Sequence, residues 1–503
     1  MEPQALNELK EKIAEVIDVV HAISVLEWDQ QTYMPPLGGE ARAEQIATLS
    51  KIAHEMFTSP QVGKLIHELE PYFQGQSPDS DDAAFFRKVK REYEKDTKLS
   101  PDLVSRISRT TSLARDKWVE ARKESNFSLF APYLSQIVDL MIEKAESLGY
   151  QESIYDALVD DYEPGMKTSR IKAIFEELRE GLVPIVRGIK ESGVEIRRDF
   201  LSRKFDLDRQ FQFTLKILEK MGYDFQRGRQ DKTAHPFTVS FSVNDVRVTN
   251  RFKDTLLTSS IFSALHEGGH ALYDQGIPEK FDRTLLMRGA SYGVHESQSR
   301  TWENLVGRSL AFWTYWFAIL KEFFPQELHD VSLEEFYRAV NFVEPSPIRV
   351  EADEVTYNLH TLLRFELEVG LIERKIKVEE LPGLWNSKMK EYIGYEPKND
   401  AEGVLQDVHW SDGYFGYFPS YTIGNLFSVQ FFRKALEDIP DLYEQFARGE
   451  YSPLREWMRK KIHVHGGKYF PEELVQMVCG EPLDPQPFLN YLREKYRGIY
   501  GNL

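Results

Sequence analysis

The sequence is poor in cysteine and in positive charge. Its one cysteine, Cys479, rules out an internal disulfide framework and is typical of a protein of the reducing cytosol. Its 63 Lys and Arg residues are outnumbered by 80 Asp and Glu residues, and the net charge of −17 argues against nucleic acid and anionic membranes as partners. The sequence therefore predicts a cytoplasmic protein that binds neither nucleic acid nor membranes.

Long apolar runs are also missing. No stretch approaches the roughly 18 uncharged apolar residues that a membrane-spanning helix needs, and the first residues lack the basic region and apolar core of a secretory signal. The 503 residues, 42% of them hydrophobic, are nevertheless enough for a large core. The length suggests two or three domains, although a helix-rich enzyme can form a single bilobal body.

His266, Glu267 and His270 form the H-E-x-x-H pattern of zinc peptidases. Residues four apart share one helix face, so both imidazoles can bind one ion while Glu267 points toward the water molecule that the ion activates. A chance match on an ordinary amphipathic helix is the alternative, and the helical context argues against it.

We expect the helix around this pattern to be capped by Ser259 or Ser260 and to end at Gly276. Its adjacent glycines, Gly268 and Gly269, are unusual, because each costs about 1 kcal/mol relative to alanine inside a helix. The pair predicts that another element packs closely against this turn.

A zinc peptidase needs a third protein ligand. The metzincin pattern is excluded, because it requires glycine where Tyr273 stands. A second helix is predicted from Ser291 onward, and Glu296 in its first turns would complete the His/His/Glu set of thermolysin-like enzymes. His295 and Glu303 are the alternative ligands.

Most of the chain has the periodicity of amphipathic helices, so the predicted fold class is mainly α with one small β-sheet. The further predicted helices are 6–25, 40–57, 61–73, 82–97, 101–124, 128–149, 168–191, 296–322, 333–342, 351–375, 379–394, 421–438, 453–462, 471–479 and 486–498. The sheet is expected as a hairpin of 235–243 and 246–249, where apolar and polar residues alternate. Its strands could pair with an extended substrate backbone or form a purely structural sheet.

Two other segments contain groups that suit a polar site. Residues 403–421 combine Gly, Pro, His and Tyr in an irregular stretch, which indicates either a site lining or an aromatic-packed turn. His463 and His465 form a second close pair, but no acid or cysteine accompanies them nearby, so we do not expect a second metal there.

Six short motifs follow one another along the chain. They are His235-Pro236-Phe237, Asp245-x-Arg247-x-Thr249, His266-Glu267-Gly268-Gly269-His270, His295-Glu296-Ser297-Gln298, Ile348-Arg349-x-x-Ala352-Asp353 and Gly403-x-x-Gln406-Asp407-x-His409-Trp410. In this order they resemble the carboxypeptidase Taq family of thermostable zinc metallocarboxypeptidases, and the resemblance covers nearly the whole chain. Six ordered motifs are far more specific than one.

The resemblance implies a bilobal helical, zincin-like peptidase fold around a deep groove. Its helical N-terminal lobe would span about 1–190 and its catalytic lobe 191–503. The resemblance also implies Glu296 as the third zinc ligand, a homodimer, and the removal of single residues from the C-termini of short peptides with broad specificity.

For that chemistry Glu267 is the predicted general base, which takes a proton from water and returns it to the leaving amine. The oxyanion needs preorganised donors besides the metal, and Tyr421, Tyr414 and His409 are the candidates. Their spacing resembles that of His and Tyr residues in related thermolysin-like oligopeptidases, and Tyr421 is favoured over Tyr414.

A carboxypeptidase must also hold a free α-carboxylate, for which the bidentate guanidinium of arginine is suited. Arg349 and Arg247 lie in family motifs and are the candidates, and His235 is assigned to substrate binding on the same ground. A buried ion pair, of Arg349 with Asp353 or of Arg247 with Asp245, is the alternative role.

Three functions are compatible with the sequence: a zinc carboxypeptidase, an endo-acting oligopeptidase on the same scaffold, and an inactive helical binding protein that keeps the motif. Zn²⁺ is the expected cofactor, although the ligand types do not distinguish it from Co²⁺ or Mn²⁺. Short peptides are the expected partners.

Overall fold

The computed structural model describes residues 3–501, and within them the fold is mainly helical with one three-stranded β-sheet, as the sequence predicts. The helices are α1 (Gln4–Thr32), α2 (Gly39–Phe57), α3 (Pro60–Phe73), α4 (Asp81–Lys98), α5 (Pro101–Glu124), α6 (Ala131–Leu148), α7 (Asp156–Val159), α8 (Thr168–Glu191), α9 (Leu207–Met221), α10 (Leu257–Gly276), α11 (Tyr292–Arg300), α12 (Leu310–Phe323), α13 (Leu333–Val340), α14 (Tyr357–Ile372), α15 (Leu381–Tyr392), α16 (Phe418–Asp438), α17 (Leu442–Ala447), α18 (Ser452–Lys461), α19 (Pro471–Cys479) and α20 (Gln486–Tyr500). In this described part of the chain, no helix has the length and apolar character needed to cross a membrane.

The chain folds into two compact units that are interleaved in sequence. Unit 1 contains Met1–Thr97, Arg197–Val340 and Phe431–Gly480, and unit 2 contains Lys98–Ile196, Asn341–Gln430 and Glu481–Leu503. The sheet, α10 and α11 belong to unit 1, whereas the irregular stretch that contains His409 belongs to unit 2. The lobes of about 1–190 and 191–503 stay a prediction.

Local capping chemistry starts several helices where the sequence predicts them. The hydroxyl of Ser100 accepts the amide of Leu103 at 3.2 Å, and Pro101 occupies the first position of α5, where a missing N–H costs nothing. Asp206 caps α9, a helix that the sequence analysis does not predict, in the same way, since its carboxylate accepts the amide of Arg209 at 2.8 Å.

The sheet has the order β1-β3-β2, with β1 at Gln230–Lys232, β2 at Thr238–Ser242 and β3 at Asp245–Asn250. β2 and β3 run antiparallel and are the predicted hairpin. β1 runs parallel to β3, and the sequence pattern misses it because three residues are too few to show an alternation. β2 and β3 both contact α10, so the sheet supports the helix that carries the H-E-x-x-H pattern.

Several helical segments differ from the sequence prediction. α1 continues to Thr32 instead of ending near residue 25, and the short helices α7 and α17 are not predicted. Two further differences lie next to α10. The prediction omits α9, although this helix is amphipathic and buries one face. The single helix predicted over 296–322 is wrong: α11 continues into a π-helical stretch, Thr301–Val306, and α12 starts afresh after a break. The break includes Gly307, where a Cβ would lie 2.5 Å from a methyl of Leu265 in α10. The helix is therefore interrupted where the chain passes close to α10.

Candidate metal centre

α10 packs against α9, α11, β2 and β3 within unit 1. It begins at Leu257 without a side-chain cap, so the predicted capping by Ser259 or Ser260 is wrong. Ser260 is fully buried, and its hydroxyl lies 2.9 Å from the Leu257 carbonyl oxygen inside the first turn. The helix ends at Gly276, as predicted.

The two glycines of α10 let other elements approach its backbone, which confirms the predicted close packing. A Cβ on Gly268 would lie 2.6 Å from a methyl of Leu218 in α9. A Cβ on Gly269 would lie 2.6 Å from the Cα of Ser299 and 2.7 Å from the carbonyl oxygen of Gln298, both in α11. Because backbone atoms cannot move aside as a side chain can, Gly269 sets the distance between the two helices.

α11 is held by a cap at its first turn and by a hydrogen bond from a residue of another segment. The hydroxyl of Ser291 accepts the amide of Val294 at 3.0 Å, which places Glu296 in the second turn of the helix. The Nε2 of His463 lies 3.0 Å from Oε1 of Gln298. This member of the second histidine pair thus supports α11.

The structure brings His266, His270 and Glu296 together. The Oε2 of Glu296 lies 3.5 Å from Nε2 of His266 and 3.5 Å from Nε2 of His270. In a tetrahedral zinc site with bonds of about 2.0–2.1 Å, neighbouring ligand atoms are about 3.3 Å apart, so this spacing fits an ion held between the three side chains. Among residues 3–501 no other three His, Cys, Asp or Glu side chains converge in this way.

Glu303 lies behind His266. Its Oε2 is 2.8 Å from Nδ1 of His266, and Arg300 donates to the same oxygen at 3.1 Å. Although burial acts in the opposite direction, the carboxylates of Glu296 and Glu303 raise the pKa of His266 to about 9. Glu303, an alternative ligand by sequence, is therefore an outer partner of the first histidine.

His270 has a different outer partner. Its Nδ1 lies 2.6 Å from Nδ1 of His295, whose Nε2 lies 2.9 Å from Oδ1 of Asp274. Burial lowers the pKa of His270 to about 4. His295, the other alternative ligand, thus also lies outside the group of converging atoms.

Glu296 is oriented by its own helix. Arg300 donates to its Oε1 at 2.6 Å, which leaves Oε2 toward the two imidazoles. The hydroxyl of Ser299 also lies 3.1 Å from Oε2. Burial by itself would raise the pKa of Glu296, but Arg300 and the imidazoles hold it well below its usual range. The carboxylate is therefore ionised and suited to a cation.

Glu267 is buried beside this group, with 7% of its surface exposed. The hydroxyl of Thr238 in β2 lies 2.8 Å from Oε2 of Glu267 and 2.9 Å from its backbone carbonyl oxygen. Burial raises the pKa of Glu267. Sequence reasoning misses Thr238, and the available signal is its position directly after the His-Pro-Phe motif.

Arg247 is paired in the way the sequence alternative describes. Its guanidinium donates twice to Asp245, each time at 2.8 Å, and covers the ring of Trp28 at 4.3 Å and that of Phe241 at 4.9 Å. His235 lies on an exposed bend just before β2. Both residues belong to unit 1.

Arg349 lies buried in unit 2. It donates to Oδ1 of Asp407 at 2.8 Å and to the hydroxyl of Tyr357 at 2.9 Å, while Arg364 donates to Oδ2 of the same aspartate at 2.6 Å. The predicted pairing of Arg349 with Asp353 is wrong. Asp353 instead accepts the backbone amides of Val355 and Thr356, each at 2.9 Å, in the turn just before α14.

The candidate oxyanion donors form an aromatic cluster in unit 2. The Nε2 of His409 lies 3.2 Å from the hydroxyl oxygen of Tyr421, and its ring packs on Phe418 with centroids 4.6 Å apart. Burial lowers the pKa of His409 to about 3, so the ring is neutral at pH 7. Tyr414 is 49% exposed and lies beside Tyr417. The irregular stretch is therefore packed with aromatic rings and still presents hydroxyl groups.

Comparison with known proteins places the whole chain in one group. The family model of the carboxypeptidase Taq (M32) metallopeptidases matches residues 8–496. Thermostable carboxypeptidase 1 of Thermus thermophilus is 44% identical over 484 residues, 94% of each chain, and carboxypeptidase 1 of Bacillus subtilis is 40% identical over 479 residues, 95% of each. The crystal structure of an M32 carboxypeptidase from Deinococcus radiodurans is 38% identical and superposes with a TM-score of 0.96, covering 99% of this chain and 100% of that one.

Proposed function

Because the chain belongs to the carboxypeptidase Taq (M32) metallopeptidase family, we propose that it removes single amino acids from the C-termini of short peptides. The observation that carries the proposal is the position of Glu267 next to three converging ligand atoms, those of His266, His270 and Glu296. A buried carboxylate beside a cation site is the arrangement that hydrolysis of a peptide bond by water requires. Broad specificity is part of the proposal.

His266, His270 and Glu296 would hold the ion. We infer zinc, with cobalt or manganese as substitutes, because two imidazoles and one carboxylate are the donors of catalytic zinc sites. When bound there, the ion supplies Lewis acidity to the scissile carbonyl and lowers the pKa of water toward about 7.

Glu267 accepts the proton of the attacking water and delivers it to the leaving amine. The hydroxyl of Thr238 bonds the same carboxylate and so limits its rotation. Because burial raises the pKa of Glu267, its carboxylate is a stronger base than an exposed glutamate.

Arg349 is better supported than Arg247 as the group that holds the substrate carboxylate. Arg247 and Asp245 pair one to one and cancel in charge. Arg349 shares Asp407 with Arg364, so two cations face one anion and a net positive charge is left for a carboxylate. The arginine roles stay predictions, to be tested by the rise in KM that loss of the clamp would cause.

Tyr421, Tyr414 and His409 stay the predicted oxyanion donors, and His235 stays a predicted substrate contact. The neutral ring of His409 lies within hydrogen-bond distance of the Tyr421 hydroxyl and would orient it. A Tyr421→Phe variant should therefore lower kcat by a larger factor than it raises KM, because the hydroxyl acts on charge that forms only in the transition state.

Two peptides that differ only at the C-terminus test the activity. With zinc bound, the enzyme should release one free amino acid from the peptide acid and nothing from the matching C-terminal amide. Internal cleavage of both would favour an endo-acting oligopeptidase, and cleavage of neither by protein with stoichiometric metal would indicate an inactive binding protein. A chelator should abolish release, and added Zn²⁺, Co²⁺ or Mn²⁺ should restore it.

We further infer a homodimer, which the family resemblance implies, and a cytoplasmic location, which the single cysteine suggests. Light scattering on the purified chain tests the dimer through its mass, which should be twice that of the 58.6 kDa chain. Fractionation of the source cells tests the location.

A further inference from the structure

We propose that His295 and Asp274 form a positioning chain that holds His270 in its metal-binding tautomer, and so controls how tightly unit 1 retains its ion. The inference rests on the proposed metal site. Neither residue is among the three converging side chains.

The direction of each hydrogen bond follows from the ligand atom. His270 presents Nε2 to Glu296, so a neutral His270 that binds a cation through Nε2 must carry its proton on Nδ1. That proton then points at Nδ1 of His295, 2.6 Å away, which must accept it. His295 consequently carries its own proton on Nε2 and donates it to Asp274 at 2.9 Å.

The same positions admit no other metal-binding arrangement. If His295 instead donated from Nδ1, His270 would have to accept there, and its proton would occupy the Nε2 that faces Glu296. A neutral His295 cannot donate from Nδ1 while its one ring proton lies on Nε2, where the carboxylate of Asp274 accepts it. Asp274 therefore fixes the tautomer of His270 through an intervening ring.

The two histidine ligands are held by unlike partners. His266 is bonded directly to the carboxylate of Glu303, which Arg300 holds in turn. His270 reaches the carboxylate of Asp274 only through the ring of His295. The hydrogen-bonded series that ends at His270 has one more residue than the one that ends at His266. Substitution of His295 or Asp274 therefore alters the support of His270 without changing a metal ligand.

Three substitutions separate the steps of this chain. His295→Phe removes both hydrogen bonds and should weaken Zn²⁺ affinity by about 10–100-fold, the usual cost of losing an outer partner. His295→Asn keeps an acceptor near the former Nδ1 but loses Asp274, so most of the affinity should return. Asp274→Asn keeps an acceptor without the charge and should give the smallest loss.

The measurements are the Zn²⁺ dissociation constant, by competition with a chromophoric chelator, and the visible absorption spectrum of the Co²⁺-substituted protein. The Phe variant should change the Co²⁺ spectrum and the Asn variants should approach the wild type. His329→Phe, at an exposed histidine (70% side-chain exposure), is the matched control and should leave both readouts unchanged. Unfolding of the metal-free variants reports any purely structural loss.

Wild-type affinity and spectrum in His295→Phe would overturn the positioning chain. That result is distinct from failure of the proposed metal site. Failure of the site would appear as a wild-type protein that does not bind Zn²⁺, or as a His270→Ala variant that binds Zn²⁺ as tightly as the wild type. If the Phe variant does not fold, His295→Leu takes its place, because it also removes both hydrogen bonds, and wild-type affinity in that variant would overturn the positioning chain.

Discussion

Unit 1 and unit 2 each bury a cluster of charged side chains, but the two clusters are built on opposite principles. In the metal cluster of unit 1 (His266, His270 and Glu296), two imidazole nitrogens each lie 3.5 Å from the same carboxylate oxygen, which is longer than a usual hydrogen bond and matches the spacing of atoms that bind one metal ion. In the arginine cluster of unit 2 (Arg349, Arg364 and Asp407), each carboxylate oxygen accepts a guanidinium N–H.

The difference shows how a buried cation site can be told from a buried ion pair. Buried polar groups are costly when they lack a partner, so ligand atoms that converge at metal-ligand spacing indicate an ion that completes them. In the arginine cluster both carboxylate oxygens already have hydrogen-bond donors, so the cluster contributes to the folded state, and its removal should lower the free energy of unfolding. Four substitutions test this division, in order of decreasing expected effect.

Glu267→Gln should have the largest effect of the four, and the effect should be confined to kcat. A general base contributes about 10²–10⁴-fold, so kcat should fall by that factor while bound metal and the unfolding transition stay close to wild type. Glu334→Gln, at an exposed glutamate, is the matched control. Full activity in Glu267→Gln would mean that another group takes the proton.

Asp407→Asn should lower the stability of unit 2. The substitution leaves two buried guanidinium groups without an anion, and breaking such a buried pair costs about 3–5 kcal/mol. Urea unfolding measures the effect, and zinc content should not change. Asp330→Asn removes a surface aspartate that also pairs with two arginines, and should change little because water screens it. An equal loss in both variants would contradict the distinction between buried and exposed pairs.

Gly269→Ala should damage the metal cluster through backbone packing. The new methyl group would lie 2.6 Å from the Cα of Ser299, so α11 must shift, at a cost of about 1–3 kcal/mol in unfolding free energy and with weaker zinc binding. Gly498→Ala is the control, because nothing lies within 4 Å of that Cβ and alanine should be neutral or stabilising there. If the two variants behave alike, close packing is not what requires Gly269.

Thr238→Val should have the smallest effect. It removes one hydrogen bond to Glu267 without changing side-chain shape, and a net value of about 1 kcal/mol corresponds to a fall of about fivefold in kcat/KM. Thr314→Val, at an exposed helical position, should leave kcat/KM unchanged. No change in Thr238→Val would show that packing alone orients the general base.

The sequence predicts regular helices well where periodicity and caps agree. α5 and α8 have the predicted bounds, because strong amphipathic repeats end at clear boundaries. β1 and the break after α11 are missed, since the first is too short to show a pattern and the second depends on contact with Leu265. Local signals do not record contacts between distant segments.

The candidate site likewise has features that the sequence predicts and features that depend on the tertiary structure. By itself the sequence determines that His266 and His270 share one face of a helix, because a spacing of four residues is a property of the helical backbone. Only tertiary structure decides that Glu296 faces them while His295 and Glu303 lie behind, and that Arg349 pairs with Asp407 instead of Asp353. Those choices depend on how closely separate helices approach and on which acceptors are already used, and both are set by packing across the fold.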